Sequence, residues 1–242
     1  MSFVRDLRVI YNLAFAPKSG ASHRERMEGF YGAQAEDYDD FRRRLLKGRR
    51  ELMRSIPFPR NGTWIDMGGG TGSNLEYLGR RIGGLKSVTV VDLSPSLLRI
   101  ARERFRSRRW NNVHAVEADA TSHVPSEPAD VVTFSYSLTM IPDWFAAIDH
   151  AHKILKPGGI IAVVDFYVGR KFPAPHARRH GVATRLFWPA WFSIDNVFPS
   201  PDHVPYLQRR FGQVSFSEHR GKIPYLAGLR APYYRFVGKK AD

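Results

Sequence analysis

The residues best suited to chemistry are an acidic and glycine-rich run with a second carboxylate behind it. Asp66-Met67-Gly68-Gly69-Gly70-Thr71-Gly72 follows the apolar pair Trp64-Ile65, and Asp92 follows Ser87-Val88-Thr89-Val90-Val91. Glycines adopt positive φ and carry no Cβ, so a turn built from them lets bare backbone approach a ligand. A helix opening near Ser73 or Asn74 would aim its first amides at a carboxylate or phosphate. A carboxylate at Asp92 can accept hydrogen bonds from both hydroxyls of a ribose. Together these residues describe a nucleoside site at the ends of two neighbouring strands.

The elements that must hold such a site alternate along the chain. Apolar runs separated by helical patterns from Trp64 to Val168 imply an α/β fold, a parallel sheet with helices on both faces. Asp130-Val131-Val132-Thr133-Phe134-Ser135-Tyr136-Ser137 reads as a fourth strand whose carboxyl end meets the cleft. Ile154-Leu155-Lys156-Pro157-Gly158-Gly159 reads as a helix end and turn before the strand Ile160–Val164. Phe211–Ser217 and Tyr233–Val237 are expected to form a closing hairpin. The stretch 170–208, rich in aromatic, proline and histidine residues, is expected to be an insertion shaping the acceptor site. Residues 1–58 are expected to form a helical cap on a domain spanning 59–242.

Glycine spacing selects the nucleoside. A dinucleotide fingerprint needs G-x-G-x-x-G, but from Gly68 and Gly70 the third position is Ser73, and no Gly-Lys-Ser/Thr follows for a phosphate loop. The alternation Asp66-x-Gly68-x-Gly70-x-Gly72 instead resembles motif I of the class I S-adenosylmethionine-dependent methyltransferases. Val116-Glu117-Ala118-Asp119-Ala120 and the Pro157-Gly158-Gly159 turn follow in the order of that family. The resemblance covers about residues 60–167. It implies a Rossmann-like, mostly parallel seven-stranded sheet with an antiparallel closing strand, and S-adenosyl-L-methionine as cofactor, leaving as S-adenosyl-L-homocysteine. It assigns the cofactor to Tyr38, Asp66, Gly68, Gly70, Asn74, Asp92, Leu93, Asp119, Ala120 and Ser135, with Asp119 facing the adenine amino group.

A second resemblance concerns the acceptor. Phe30-Tyr31-Gly32-Ala33-Gln34-Ala35-Glu36-Asp37-Tyr38-Asp39, Ser135–Pro142, Val164-Asp165-Phe166-Tyr167-Val168, Trp188–Phe192 and Ser200–Leu207 are similar to the BtaB-type N-methyltransferases of betaine-lipid synthesis. That family methylates the amine of diacylglyceryl-homoserine three times. The resemblance implies a separate upstream transferase that builds the homoserine headgroup, the methyltransferase being expected to stand alone. The sulfonium methyl is already activated, so the protein must align a neutral amine and favour spreading positive charge. Asp165, Tyr136, Tyr167 or His203 would accept the proton each ammonium must lose. Tyr31, Tyr38 and Tyr136 offer aromatic faces to methylated ammonium groups. A methyltransferase acting on RNA or on a small soluble amine is the alternative.

Charge and hydropathy bear on the partner. The 242 residues carry 37 Lys and Arg against 23 Asp and Glu, a net charge of +14, with clusters at Arg42–Arg44, Lys47–Arg50, Arg102–Arg109 and 170–180. An anionic membrane surface, with the enzyme cytoplasmic and peripherally attached to the inner face, is the expected partner. No RNA-binding strand motif or zinc finger is present, so nucleic acid is not expected. No run approaches the roughly 20 apolar residues of a membrane-spanning helix. Phe3, Val4, Leu7, Ile10, Tyr11, Ala14 and Phe15 fall along one helical face, for lipid or for the protein's own domain. Cysteine is absent, which excludes disulfides and thiolate zinc sites. His150 and His152 are not spaced to share a helical face, and His176 and His180 lack a glutamate motif, so no metal site is assigned.

Overall fold

The apolar runs form five parallel strands: Thr63–Met67 (β1), Ser87–Asp92 (β2), Val113–Glu117 (β3), Ala129–Ser135 (β4) and Leu155–Phe166 (β5). The computed structural model describes residues 38–174, 177–224, 226 and 228–242, with side chains from Arg42 onward. Gly212–Lys222 (β6) and Arg230–Lys239 (β7) make the expected hairpin, and β7 runs antiparallel to β5. The sheet order is β3-β2-β1-β4-β5-β7-β6, the mostly parallel seven-stranded sheet with an antiparallel closing strand that the sequence implied. Connections diverge on either side of β1, toward β2 and toward β4. Ligands of open α/β sheets bind in the crevice beyond the carboxyl ends of such strands.

Alternating side chains supply the two apolar layers. Trp64, Val88, Val90, Val131, Ala162 and Val164 face one layer, completed by Leu52, Leu75, Leu98 and Phe105. Ile65, Met67, Val132, Phe134, Ile161 and Val163 face the other, completed by Leu138, Ile148 and Leu207. The helices are Tyr38–Leu45 (α1), Arg49–Ser55 (α2), Pro95–Ser107 (α3), Trp144–Ile154 (α4), Val182–Ser193 (α5) and His203–Arg210 (α6). Two are capped as their sequences direct. Ser94 Oγ accepts from the Leu97 amide ahead of Pro95 at the first position of α3, and Asp143 Oδ1 accepts from the Ala146 amide at the start of α4.

Three local readings need correction. The element after the glycine turn, Ser73–Gly84, is a 3-10 helix broken at Gly79 (φ 57°, ψ −134°), because glycines at 79, 83 and 84 disfavour a regular helix. The turn expected between a helix and β5 lies within the strand: Leu155 already pairs with Ala129, and a register irregularity precedes the Val131–Ile160 pair, with Gly158 at φ 70°. The basic clusters are not wholly a solvated face. Arg49 is buried, and Arg104 donates to the Thr71 carbonyl and pairs with Glu76 at 3.4 Å. Tyr31 and the apolar face from Phe3 to Phe15 lie outside the described residues, as does the side chain of Tyr38 at the start of α1. His176 lies outside them too.

Gly72 shows how tightly this turn is fixed. Its φ is 69°, and a Cβ there would stand 2.7 Å from Phe105 Cε1 on α3. Gly72→Ala is therefore expected to destabilise the protein by about 1–3 kcal/mol in urea denaturation, through left-handed strain and overpacking. Unchanged stability would show that α3 yields without cost.

Candidate active site

A cleft of about 230 Å³ opens at the carboxyl ends of β1, β2 and β4. Gly68, Asp92, Leu93, Asp119, Ala120 and Tyr136 line it, so six residues predicted from the sequence meet at one opening. Asp92 ends β2 beside the glycine turn. Its Oδ2 accepts from the Gly70 amide at 2.8 Å and its Oδ1 from the Ser94 amide at 2.9 Å. Burial raises its pKa, against the lowering effect of those amides and of Arg42. Each oxygen keeps a further lone pair for an incoming hydroxyl. Asp119 Oδ1 accepts from the amide and hydroxyl of Thr121, both at 2.7 Å, which fixes the carboxylate at the cleft wall.

Asp66 does not line the cleft. It is fully buried beneath the turn, where Oδ1 accepts from Thr133 Oγ1 at 2.6 Å and Oδ2 from Asn74 Nδ2 at 3.3 Å. Trp64 Nε1 donates to the same threonine at 3.1 Å. Asn74 Oδ1 receives Arg49 Nη1 at 3.2 Å and Ser135 Oγ at 3.4 Å. Three predicted cofactor residues, Asp66, Asn74 and Ser135, are thus joined in a network under the cleft. Burial pushes the Asp66 carboxyl up to about 6, while Thr133, Asn74 and Arg49 pull the other way.

The four described candidates for proton transfer are placed unequally. Tyr136 lines the cleft with φ 55°, an uncommon conformation for a bulky residue, and its hydroxyl donates to the Lys47 carbonyl at 2.6 Å. Its ring packs edge-on against Phe166 at 4.7 Å. Asp165 is fully buried: Oδ1 accepts from Thr139 Oγ1 at 2.7 Å and from the Phe166 amide at 2.8 Å, and Oδ2 from the Thr139 amide at 3.2 Å. Burial pushes it up to about 7. Tyr167 donates to Glu218, and His203 packs edge-on against Trp144 with its pKa pushed down to about 3 by burial. Asp165, Tyr167 and His203 do not line the cleft.

Sequence reasoning missed several contributors. Arg42 and Arg49 were counted only as surface charge, yet Arg42 lines the cleft beside Asp92 and Arg49 reaches Asn74. Gly48 between α1 and α2, at φ 82°, was the available signal that this basic stretch turns tightly against the domain; a Cβ there would meet Tyr233 Cε2 at 2.5 Å. Thr133, inside an apolar strand, was a polar residue awaiting a buried partner. Ser137, Met140, Ile141 and Pro142 complete the far wall.

The glycine turn, the strand-end carboxylates and the reversal of strand order define a class I methyltransferase using S-adenosyl-L-methionine. The residues fit that cofactor: Gly70 leaves an open approach beside Asp92, since a Cβ there would meet nothing closer than 3.4 Å, and Asp92 keeps lone pairs for the hydroxyls of a ribose. A family model described as a methyltransferase domain matches residues 37–221, and the chain belongs to that family. It is 35% identical over 104 residues to the ubiquinone/menaquinone biosynthesis C-methyltransferase UbiE of Shewanella halifaxensis, covering 42% of this chain and 41% of that protein. The corresponding enzyme of Vibrio parahaemolyticus is 34% identical over 104 residues, 42% of this chain and 40% of its own. The chain thus matches about two-fifths of the length of these relatives. Haemonchus contortus phosphoethanolamine N-methyltransferase 2, solved with S-adenosyl-L-methionine, superposes with a TM-score of 0.70 at 16% identity over 93% of this chain and 61% of its own. The N-methyltransferase NodS of Bradyrhizobium japonicum gives 0.56 at 20% identity over 85% and 99%. These two likenesses concern the fold.

Two outcomes follow from the site. Asp92→Ala is expected to weaken S-adenosylmethionine binding by calorimetry at least tenfold, about 1.5–3 kcal/mol for hydrogen bonds to a charged group; unaltered affinity would remove Asp92 from the site. Asp66 and Asp165 hold their protons more tightly folded than unfolded. The stability they contribute is complete below about pH 4 and is lost as pH rises through about 6 and about 7 respectively. Denaturation series across pH 4–8 should show this decline reduced in Asp165→Asn, and an equal decline in the variant would refute the assignment.

Proposed function

We propose that this enzyme is an N-methyltransferase that methylates the amine of diacylglyceryl-homoserine to the trimethyl betaine lipid, at an anionic membrane surface. One observation supports it most: Tyr136 lines the cleft at the end of β4 in a strained backbone conformation, with Phe166 behind it and its pKa raised by burial and, beyond that, by the nearby Asp165 carboxyl. An aromatic side chain beside a carboxyl suits a substrate that becomes more cationic with each turnover. The cap and tail motifs shared with the betaine-lipid enzymes point to the same acceptor.

S-adenosylmethionine supplies an electrophilic methyl group when bound. Asp92 and Asp119 would hold its nucleoside, with the open backbone at Gly70 beside them. Tyr136 and the wall from Ser137 to Pro142 shield the reacting amine from water. An amine aligned with that methyl group would take it through its lone pair, and the proton of the resulting ammonium would pass to solvent past Tyr136 before the next transfer. Asp165 is engaged on both oxygens by Thr139 and Phe166, and by the Leu138 backbone, so its part is to sit beside Tyr136 and to hold the 138–140 turn. A separate transferase supplies the homoserine headgroup.

The 104-residue likeness to C-methyltransferases favours a second reading, C-methylation in ubiquinone or menaquinone biosynthesis. Purified enzyme given labelled cofactor and detergent-dispersed homoserine lipid should yield mono-, di- and trimethylated lipid by mass spectrometry. Tyr136→Leu should lower kcat about three- to thirtyfold with cofactor affinity retained, the range of a desolvated cation–π contact. Label appearing only on a quinol, an RNA or a soluble amine would overturn the lipid assignment.

A further inference from the structure

The helix α5 is apolar nearly all the way round, yet only one side of it is covered. Trp188 and Phe192 are buried, and Phe192 stacks on Phe166 at 4.3 Å. The opposite arc carries Val182, Ala183, Leu186, Phe187, Ala190, Trp191 and Ser193, all exposed and none charged. Leu186 is 68% exposed; Phe172, on the preceding loop, is 77% exposed, and Phe198 is also exposed. An uncharged face of this size needs a partner. Twelve residues reach only about 18 Å, short of a roughly 30 Å hydrocarbon core, so the helix cannot cross a bilayer.

Basic groups fringe the apolar face. A groove of about 470 Å³ runs between α5 and residues 168–171, lined by Arg170, Lys171 and Arg185 beside Val182, Leu186 and Pro189. Arg170 pairs with Asp202 at 2.6 Å, and Lys171 lies 5.3 Å from the Phe172 ring. The Nε of Arg185 is buried with no hydrogen-bond partner in the structure. An apolar face edged by cations matches a bilayer whose acyl region is apolar and whose headgroups are anionic.

We infer that the outer face of α5, with Phe172 and the Arg170–Lys171–Arg185 groove, is the surface on which this protein docks onto an anionic membrane. This rests on the lipid-acceptor reading and gives it an orientation. The inner face of the same helix packs on Phe166, which packs on Tyr136, so α5 and Phe166 would stand between the docked bilayer and Tyr136.

The test is partitioning of the full chain onto vesicles of phosphatidylcholine with or without phosphatidylglycerol. Wild type should sediment with the phosphatidylglycerol vesicles and be released by salt. Leu186→Ser with Trp191→Ser, and separately Lys171→Gln with Arg185→Gln, should each weaken partitioning about tenfold or more while retaining Tm and cofactor affinity. Wild-type partitioning by either pair overturns the inference. So does a wild-type dimer dissociated by the serine pair, which assigns the face to a second copy, or a large fall in that pair's Tm, which assigns it to residues 1–37. Methylation of micellar homoserine lipid separates the two readings. Activity there with vesicle binding unchanged in the variants removes only the docking surface; surface-dependent binding with the homoserine lipid unmethylated removes only the substrate.

Discussion

The cleft depends on one buried carboxylate. Asp66 is removed from water, which costs several kcal/mol for an unpaired ion, and its position is tolerable because Thr133 and Asn74 satisfy it while Arg49 lies within electrostatic reach. Those partners come from β4, the 3-10 helix and α2. A single group therefore holds the end of β1, the neighbouring strand β4, the 3-10 helix and α2 in one arrangement. A partly satisfied network of this kind is worse than an apolar core, and a satisfied one specifies a unique geometry.

The glycine turn acquires its shape from the same surroundings. A Cβ at Gly69 would stand 2.8 Å from Asp66 Oδ2 and from Val90, one at Gly68 2.5 Å from Ser137, and one at Gly72 2.7 Å from Phe105. Three of these glycines are bare because the protein's own atoms occupy the space. Gly70 differs: its neighbours Arg42, Leu97 and Asp92 belong to the cleft, and its amide already fixes Asp92. The run is a packing solution at three positions, of which Gly68 also borders the cleft, and an open approach at Gly70.

That division explains what was legible in the sequence. The strands β1, β2, β4 and β5 were readable because both their faces are buried, giving continuous apolar runs, and the acid-glycine spacing pointed to the cofactor. Asp92, Leu93, Asp119 and Ala120 lie where their strand-end positions implied. Arg49 was not readable, since an arginine among arginines carries no sign that it alone is buried; only the fold brings Asn74 to it across 25 positions. Asp165 was legible as a strand-end carboxylate but not as a group engaged on both oxygens, because Thr139 reaches it through a loop whose course the sequence does not encode locally.

The placement of Asp165 also constrains where the transferred proton goes. A carboxyl held near neutrality, fully buried and bonded to Thr139 and Phe166, is an anion only at the expense of its surroundings, and it sits behind the cleft wall. Tyr136 stands at that wall, with a hydroxyl engaged by the Lys47 carbonyl. For the amine acceptor proposed above, the route from an ammonium in the cleft to bulk water would run past Tyr136 rather than through Asp165. For that proposed acceptor the pair would offer a ring and a carboxyl already in place, so that binding requires little reorganisation of the protein. The strain at Tyr136 and the burial of Asp165 are the energetic cost of that preorganisation, borne by the strands β4 and β5 that hold them.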